Sequence, residues 1–116
     1  MDQFLNAVKE IVRSFRSFSH ATIKLVSHLD ADGLSSSAIM ISALQREGLC
    51  FSLTTIRQID DYALEEIKRE HYSLVFFLDL GSGSLRKIDE YLKEKEVFIL
   101  DHHSIESYTT ERIPLL

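Results

Sequence analysis

From Phe4 to Phe18 the apolar residues Leu5, Val8, Ile11, Val12 and Phe15 recur every three or four positions, the spacing of one helix face. That stripe predicts an amphipathic helix packed against a core. The period then changes. Ile23–Ser27 reads as a β-strand, stopped by the polar stretch His28-Leu29-Asp30-Ala31-Asp32-Gly33, after which Leu34 to Arg46 can form a helix closed by Gly48. A second round follows. Phe51–Ile56 is β-branched and apolar, Asp60 can cap a helix through about Glu70, and Leu74–Leu78 is a fully apolar strand. In the third round Ser84 is a natural cap for a helix burying Leu85, Ile88, Tyr91 and Leu92, and Val97–Leu100 is the fourth strand. After Ser104 the period fades and no further element is predicted.

Strands that alternate with single helices need crossover connections, and crossovers make a parallel sheet covered on both faces. The predicted fold class is therefore α/β, a doubly wound parallel sheet in one domain spanning residues 1–116. Composition agrees. With 45% hydrophobic and 27% charged residues, 4 Gly and 1 Pro, the chain is neither disordered nor collagen-like. Its 116 residues are enough to bury roughly two-thirds of the unfolded surface around one core. The single cysteine, Cys50, excludes an intrachain disulfide and is expected as a small buried hydrophobe in a reducing compartment. No apolar run approaches ~18 residues and Met1-Asp2-Gln3-Phe4 lacks the character of a signal peptide, so no membrane association is expected and the protein is expected in the cytoplasm. A net charge of −5 excludes a broad basic footprint for nucleic acid. Phosphate chemistry here needs a localised cation.

In an open parallel sheet the ligand site lies beyond the carboxyl ends of the strands. Those ends carry His28, Asp30 and Asp32 after the first strand, Asp79 after the third, and Asp101, His102 and His103 after the fourth. Any one Asp there could simply cap a helix. Carboxylates gathered at one edge repel each other unless a cation neutralises them. Carboxylates with imidazoles and no thiolate favour Mn²⁺, with Mg²⁺, Co²⁺ and Zn²⁺ as alternatives. Two Asp at i and i+2 with a third between them suit two ions ~3.5–4 Å apart.

Ser27-His28-Leu29-Asp30-Ala31-Asp32-Gly33-Leu34-Ser35-Ser36, Leu78-Asp79 and Leu100-Asp101-His102-His103 together resemble the first three motifs of the DHH phosphoesterase superfamily, in order and at the ends of the matching strands. The Asp-Ala-Asp-Gly form is most similar to RecJ-like nucleases of archaeal type. The resemblance covers roughly residues 23–104. It implies that Asp30 and Asp32 hold two Mn²⁺ ions separately, that Asp79 bridges them, that His102 and His28 are further ligands, that His103 meets the scissile phosphate, and that Asp101 orients its neighbours. A fourth motif with another Asp ligand and a C-terminal substrate-binding domain belong to the family pattern. Only 13 residues follow His103 here and none is Asp, so the chain is expected to be the N-terminal part of a DHH domain with little activity by itself.

The implied function is two-metal hydrolysis of single-stranded DNA or short RNA, in association with replication or repair proteins. The alternatives are a replication-associated binding module with lost or secondary catalysis, and, among enzymes, a pyrophosphatase or cyclic-dinucleotide phosphodiesterase. Outside these motifs the plainer readings prevail. Gly33 serves a turn or a close backbone approach, Gly81-Ser82-Gly83 is a strand-to-helix turn, and Lys68, Arg69, Lys87, Lys93 and Lys95 line solvated, ion-paired faces.

Overall fold

A computed structural model describes residues 2–17, 22–102 and 112–115. The chain order is α1 (Asp2–Arg16), β1 (Ile23–His28), α2 (Ala31–Arg46), β2 (Phe51–Ile56), α3 (Asp61–Arg69), β3 (Leu74–Leu78), a 3-10 turn (Ser82–Ser84), α4 (Leu85–Tyr91) and β4 (Glu96–Leu100). The four strands form one sheet in the order β2-β1-β3-β4, and every pair is parallel. The fold is the expected doubly wound α/β arrangement. Alternation along each strand divides the core in two. Val26, Val75, Phe77, Val97 and Ile99 face α3 and α4, whereas Ile23, Leu25, Leu74, Phe76, Phe98 and Leu100 face α1 and α2.

The strand boundaries agree with the periodicity to within a residue: β1 and β3 are buried on both faces, the middle of β4 is buried, and the edge strand β2 is only partly covered. The helices depart further. α2 starts at Ala31, three residues early, because the Asp30 side chain caps it by accepting from Gly33 N at 2.8 Å. Asp60 caps α3 in the same way, through Ala63 N. Ser84 precedes α4 but makes no side-chain cap, since the 3-10 turn already supplies the entry. Gly48, in the left-handed region at φ 69°, closes α2 as predicted.

Three expectations are corrected. Cys50 is exposed, because it stands just before β2, outside the sheet's covered region. The α1 stripe is only partly core: Ile11 and Phe15 pack on the sheet, with Phe15 edge-on to Phe76 at 5.4 Å, yet no α1 residue is fully buried and Phe4, Leu5 and Val12 are exposed. Phe18 lies outside the described residues. Residues 112–115, where no element was predicted, run alongside β4: Ile99 N donates to Pro114 O, Leu115 bridges Ile99 in parallel, and Ile113 is buried. Arg112 anchors them through Asp89, at 2.8 and 2.7 Å.

Lys95, expected on a solvated face, is more structural than that, and Lys24 of β1 acts beside it. Lys24, buried in β1, pairs with Glu70 at 3.0 Å. Lys95 donates to the carbonyls of Glu70 and Tyr72, and burial lowers its pKa. These contacts tie the amino-terminal edge of the sheet together, opposite the acidic loops.

Candidate metal centre

The strand order changes direction between β1 and β3: the chain leaves β1 toward β2 and returns past β1 to β3. A crevice opens at such a point, outside the carboxyl ends of the strands. Register then selects which residues meet. Ser27 pairs with Leu78 and Leu78 with Leu100, so His28, Asp79 and Asp101 leave the sheet at one level. Asp79 N donates to Leu100 O at 2.8 Å, which fixes the exit of β3 against β4.

The β1–α2 loop is braced from inside. The buried Ser27 hydroxyl is shared between His28 O at 3.0 Å and Gly33 O at 3.1 Å, and the Ser37 hydroxyl donates to Gly33 O at 2.8 Å. Gly33 approaches so closely that a Cβ there would lie 2.0 Å from the His28 carbonyl oxygen. The glycine is therefore required by proximity. Ser37 serves this brace, so it is turned away from the phosphate-contact role that a first-turn hydroxyl could play.

Two triads of ligand atoms result, each within 4.8 Å: His28, Asp30 and Asp79, and Asp32, Asp79 and His102. Asp79 belongs to both. Its side chain is 3% exposed, while those of Asp32 and His102 are 74% and 67% exposed, so the shared carboxylate forms the floor of an open site. Asp79 also adopts φ 64°, a left-handed conformation that Asp tolerates better than most residues.

The hydrogen bonds assign lone pairs. His28 Nε2 lies 3.0 Å from Arg57 O, a carbonyl that only accepts, so Nε2 carries a proton. Nδ1 then presents its lone pair 2.7 Å from Asp30 Oδ2, at ion-pair distance but without hydrogen-bond geometry. Two acceptors that close require a proton or a metal ion between them. The Asp30 carboxylate accordingly raises the His28 pKa above its usual 6.5. Asp30 itself is held below its usual 3.8, first by the Gly33 amide and then by His28. On the other side, His102 Nε2 lies 2.8 Å from Asp79 Oδ1, while the buried Asp79 Oδ2 has no hydrogen-bond partner.

A buried carboxylate oxygen and a buried imidazole nitrogen without hydrogen-bond partners, amid three carboxylates, fit divalent cations. Imidazole and carboxylate without thiolate is the donor set of Mn²⁺, Mg²⁺ or Co²⁺ in preference to a thiolate metal. Asp101 joins neither triad. Its Oδ2 accepts from Ser82 N at 3.1 Å and Ser82 Oγ at 2.7 Å, so it couples the turn after β3 to the residue preceding His102. His103 lies outside the described residues.

Two contributors escaped the sequence reading. Ser82, fully buried, sits in what reads as a plain Gly-Ser-Gly turn, and its only advance signal is Gly81, whose φ of 117° demands glycine. Arg57 reads as a loop residue, yet its carbonyl orients His28 and it lines a cleft of about 230 Å³ with Asp79, Gly81, Ser84 and Asp101. No local pattern marks it.

Residues 22–115 match the DHH family, N-terminal domain. The chain belongs to the DHH family. Members of this superfamily are phosphoesterases and nucleases. An uncharacterized protein of Methanocaldococcus jannaschii is 31% identical to this DHH chain over 107 residues, which are 89% of the chain and 23% of that protein. Among solved structures, RecJ from Thermus thermophilus in complex with Mn²⁺ has a TM-score of 0.70 at 21% identity, covering 95% of this chain and 16% of that one. An exonuclease RecJ bound to manganese gives 0.72 at 20%, covering 95% and 30%. CDC45 of Entamoeba histolytica gives 0.75 at 20%, covering 95% and 24%. The fold is thus that of the RecJ DHH domain, and the chain spans less than a third of the length of each of these proteins.

Proposed function

We propose that this DHH chain is the metal-binding part of a RecJ-like phosphodiesterase that hydrolyses single-stranded DNA or short RNA, working with replication or repair proteins. The observation that carries the reading is the shared Asp79: a buried carboxylate common to two ligand triads, with one oxygen lacking any hydrogen-bond partner. A binding module has no physical need for mutually repelling carboxylates around a buried one.

In this reading His28, Asp30 and Asp79 hold one divalent cation and Asp32, Asp79 and His102 the other, with Mn²⁺ preferred. When bound, such a pair activates water and neutralises charge developing on a phosphoryl group. The protein's own contribution is positional. Arg57 O fixes the His28 tautomer so that Nδ1 faces the site. Ser82 and Asp101 hold the β4 exit, which carries His102, against the turn after β3. Arg57, which lines the cleft, is proposed to offer its guanidinium to a phosphate oxygen, and His103, next along from His102, is proposed to meet the scissile phosphate. A fourth Asp ligand and a substrate-gripping domain are proposed to lie in the remainder of a full-length protein, with the motifs of this part confined to residues 23–104.

The test is to assay the full gene product with Mn²⁺ on single-stranded DNA, short RNA and pyrophosphate, beside an Asp30→Ala/Asp32→Ala variant. Metal-dependent oligonucleotide cleavage that the variant loses is the expected result. A protein that binds Mn²⁺ yet cleaves none of the three is a binding module, and cleavage of pyrophosphate alone makes it a pyrophosphatase; either outcome removes the nuclease reading.

A further inference from the structure

The α1 helix carries more apolar surface than its own sheet covers. At 100° per residue, Ile11, Phe4, Phe15, Val8, Val12 and Leu5 occupy a continuous arc of about 120°. Of that arc Ile11 and Phe15 pack on the sheet; Phe4, on the same side but nearer the helix start, and Leu5 and Val12, on the other side, are 56%, 47% and 42% exposed. Beside them a groove of about 680 Å³ runs between α1 and α2, lined by Val8, Val12, Phe15, Met40, Leu44 and Leu100. A 15-residue helix is marginal alone in water, so an uncovered apolar edge of this width calls for a partner.

Charge identifies the partner. α1 is acidic at its start, with Asp2, and basic at its end, with Arg13 and Arg16. Arg13 is already paired with Glu10 at 2.7 Å, while Arg16 and Arg46, with Glu47 beside them, stand at the groove. We propose that the occupant is a second copy of this chain, its α1 antiparallel to the first about a twofold axis. An antiparallel pair centred between Val8 and Lys9 sets Leu5 of each copy against Val12 of the other and brings Asp2 toward Arg16 and Arg46 across the axis. Phe4 then enters the far end of the opposing groove. The two helix dipoles oppose head to tail, and the contact is self-complementary, as a twofold interface must be. A parallel pair instead stacks like charges at both ends. None of the metal-triad residues lines this groove, so the pairing leaves the acidic crevice open.

Sedimentation equilibrium of the full gene product over a wide concentration range tests it, with circular dichroism as the control for folding. The mass is expected to double with concentration, and Leu5→Glu or Val12→Glu, both at exposed positions, should weaken association at least tenfold with helicity unchanged. Orientation is read separately in a Cys50→Ser background. On oxidation, Leu5→Cys mixed with Val12→Cys should cross-link, while neither variant alone should. A monomer at every concentration, a dimer indifferent to both glutamates, or cross-linking of each variant with itself overturns the proposal.

Discussion

Asp79 Oδ1 lies 2.8 Å from His102 Nε2, joining the ends of β3 and β4 across 23 residues of sequence. The contact uses one carboxylate oxygen and leaves the other buried with no hydrogen-bond partner. A desolvated carboxylate so placed costs the fold stability, and a cation that binds only the folded state returns it.

Asp79→Asn should separate these two effects. The amide keeps the shape, tolerates φ 64° and keeps an oxygen for His102, but brings no charge into the buried floor. The variant is expected to unfold within about 1 kcal/mol of the parent without metal, the scale of one exchanged hydrogen bond. The rise in melting temperature that Mn²⁺ gives the parent should vanish. A variant that still responds to Mn²⁺ like the parent would show that Asp79 is not shared between the two ions.

Gly33→Ala should damage fold and site together. A methyl group 2.0 Å from the His28 carbonyl oxygen meets backbone, so the β1–α2 loop must shift. Urea unfolding should show a loss of about 3 kcal/mol, at the upper end for an overpacked position. Calorimetric Mn²⁺ binding should weaken as His28 and Asp30 move apart. Unchanged stability would mean that the loop has slack the Ser27 and Ser37 braces do not allow.

The pH dependence follows from His28 and Asp30. The His28 pKa is raised above 6.5, so its contribution to apo stability is complete below 6.5 and disappears as pH rises through the raised value. Asp30 is lowered from 3.8, so its contribution is complete above 3.8 and disappears as pH falls through the lowered value. Thermal melting of the apo protein should therefore show the pair's full effect between pH 3.8 and 6.5. Mn²⁺ must displace the His28 proton, so below the raised value its affinity should fall about tenfold per pH unit. A His28→Ala variant with the same Mn²⁺ pH profile would rule out His28 as a ligand.

Hydrophobic periodicity by itself determined the four strands, their parallel pairing and the carboxyl edge as the place for chemistry. It could do so because the strands are short runs rich in apolar and β-branched residues, β3 apolar throughout, and single-helix crossovers allow few topologies. The Asp and His residues at three strand ends were legible for the same reason: a residue just past a buried strand has nowhere else to go. What the linear pattern could not show is anything set by contact between distant segments. Only the tertiary structure decided that β1 and β3 are neighbours, which makes Asp79 common to both triads, and that Arg57 O turns the His28 ring. Tertiary contacts also decided that Ser82 holds Asp101 and that half of the α1 stripe stays uncovered. A helix period reports which residues avoid water; it is silent on how much neighbouring surface exists to cover them.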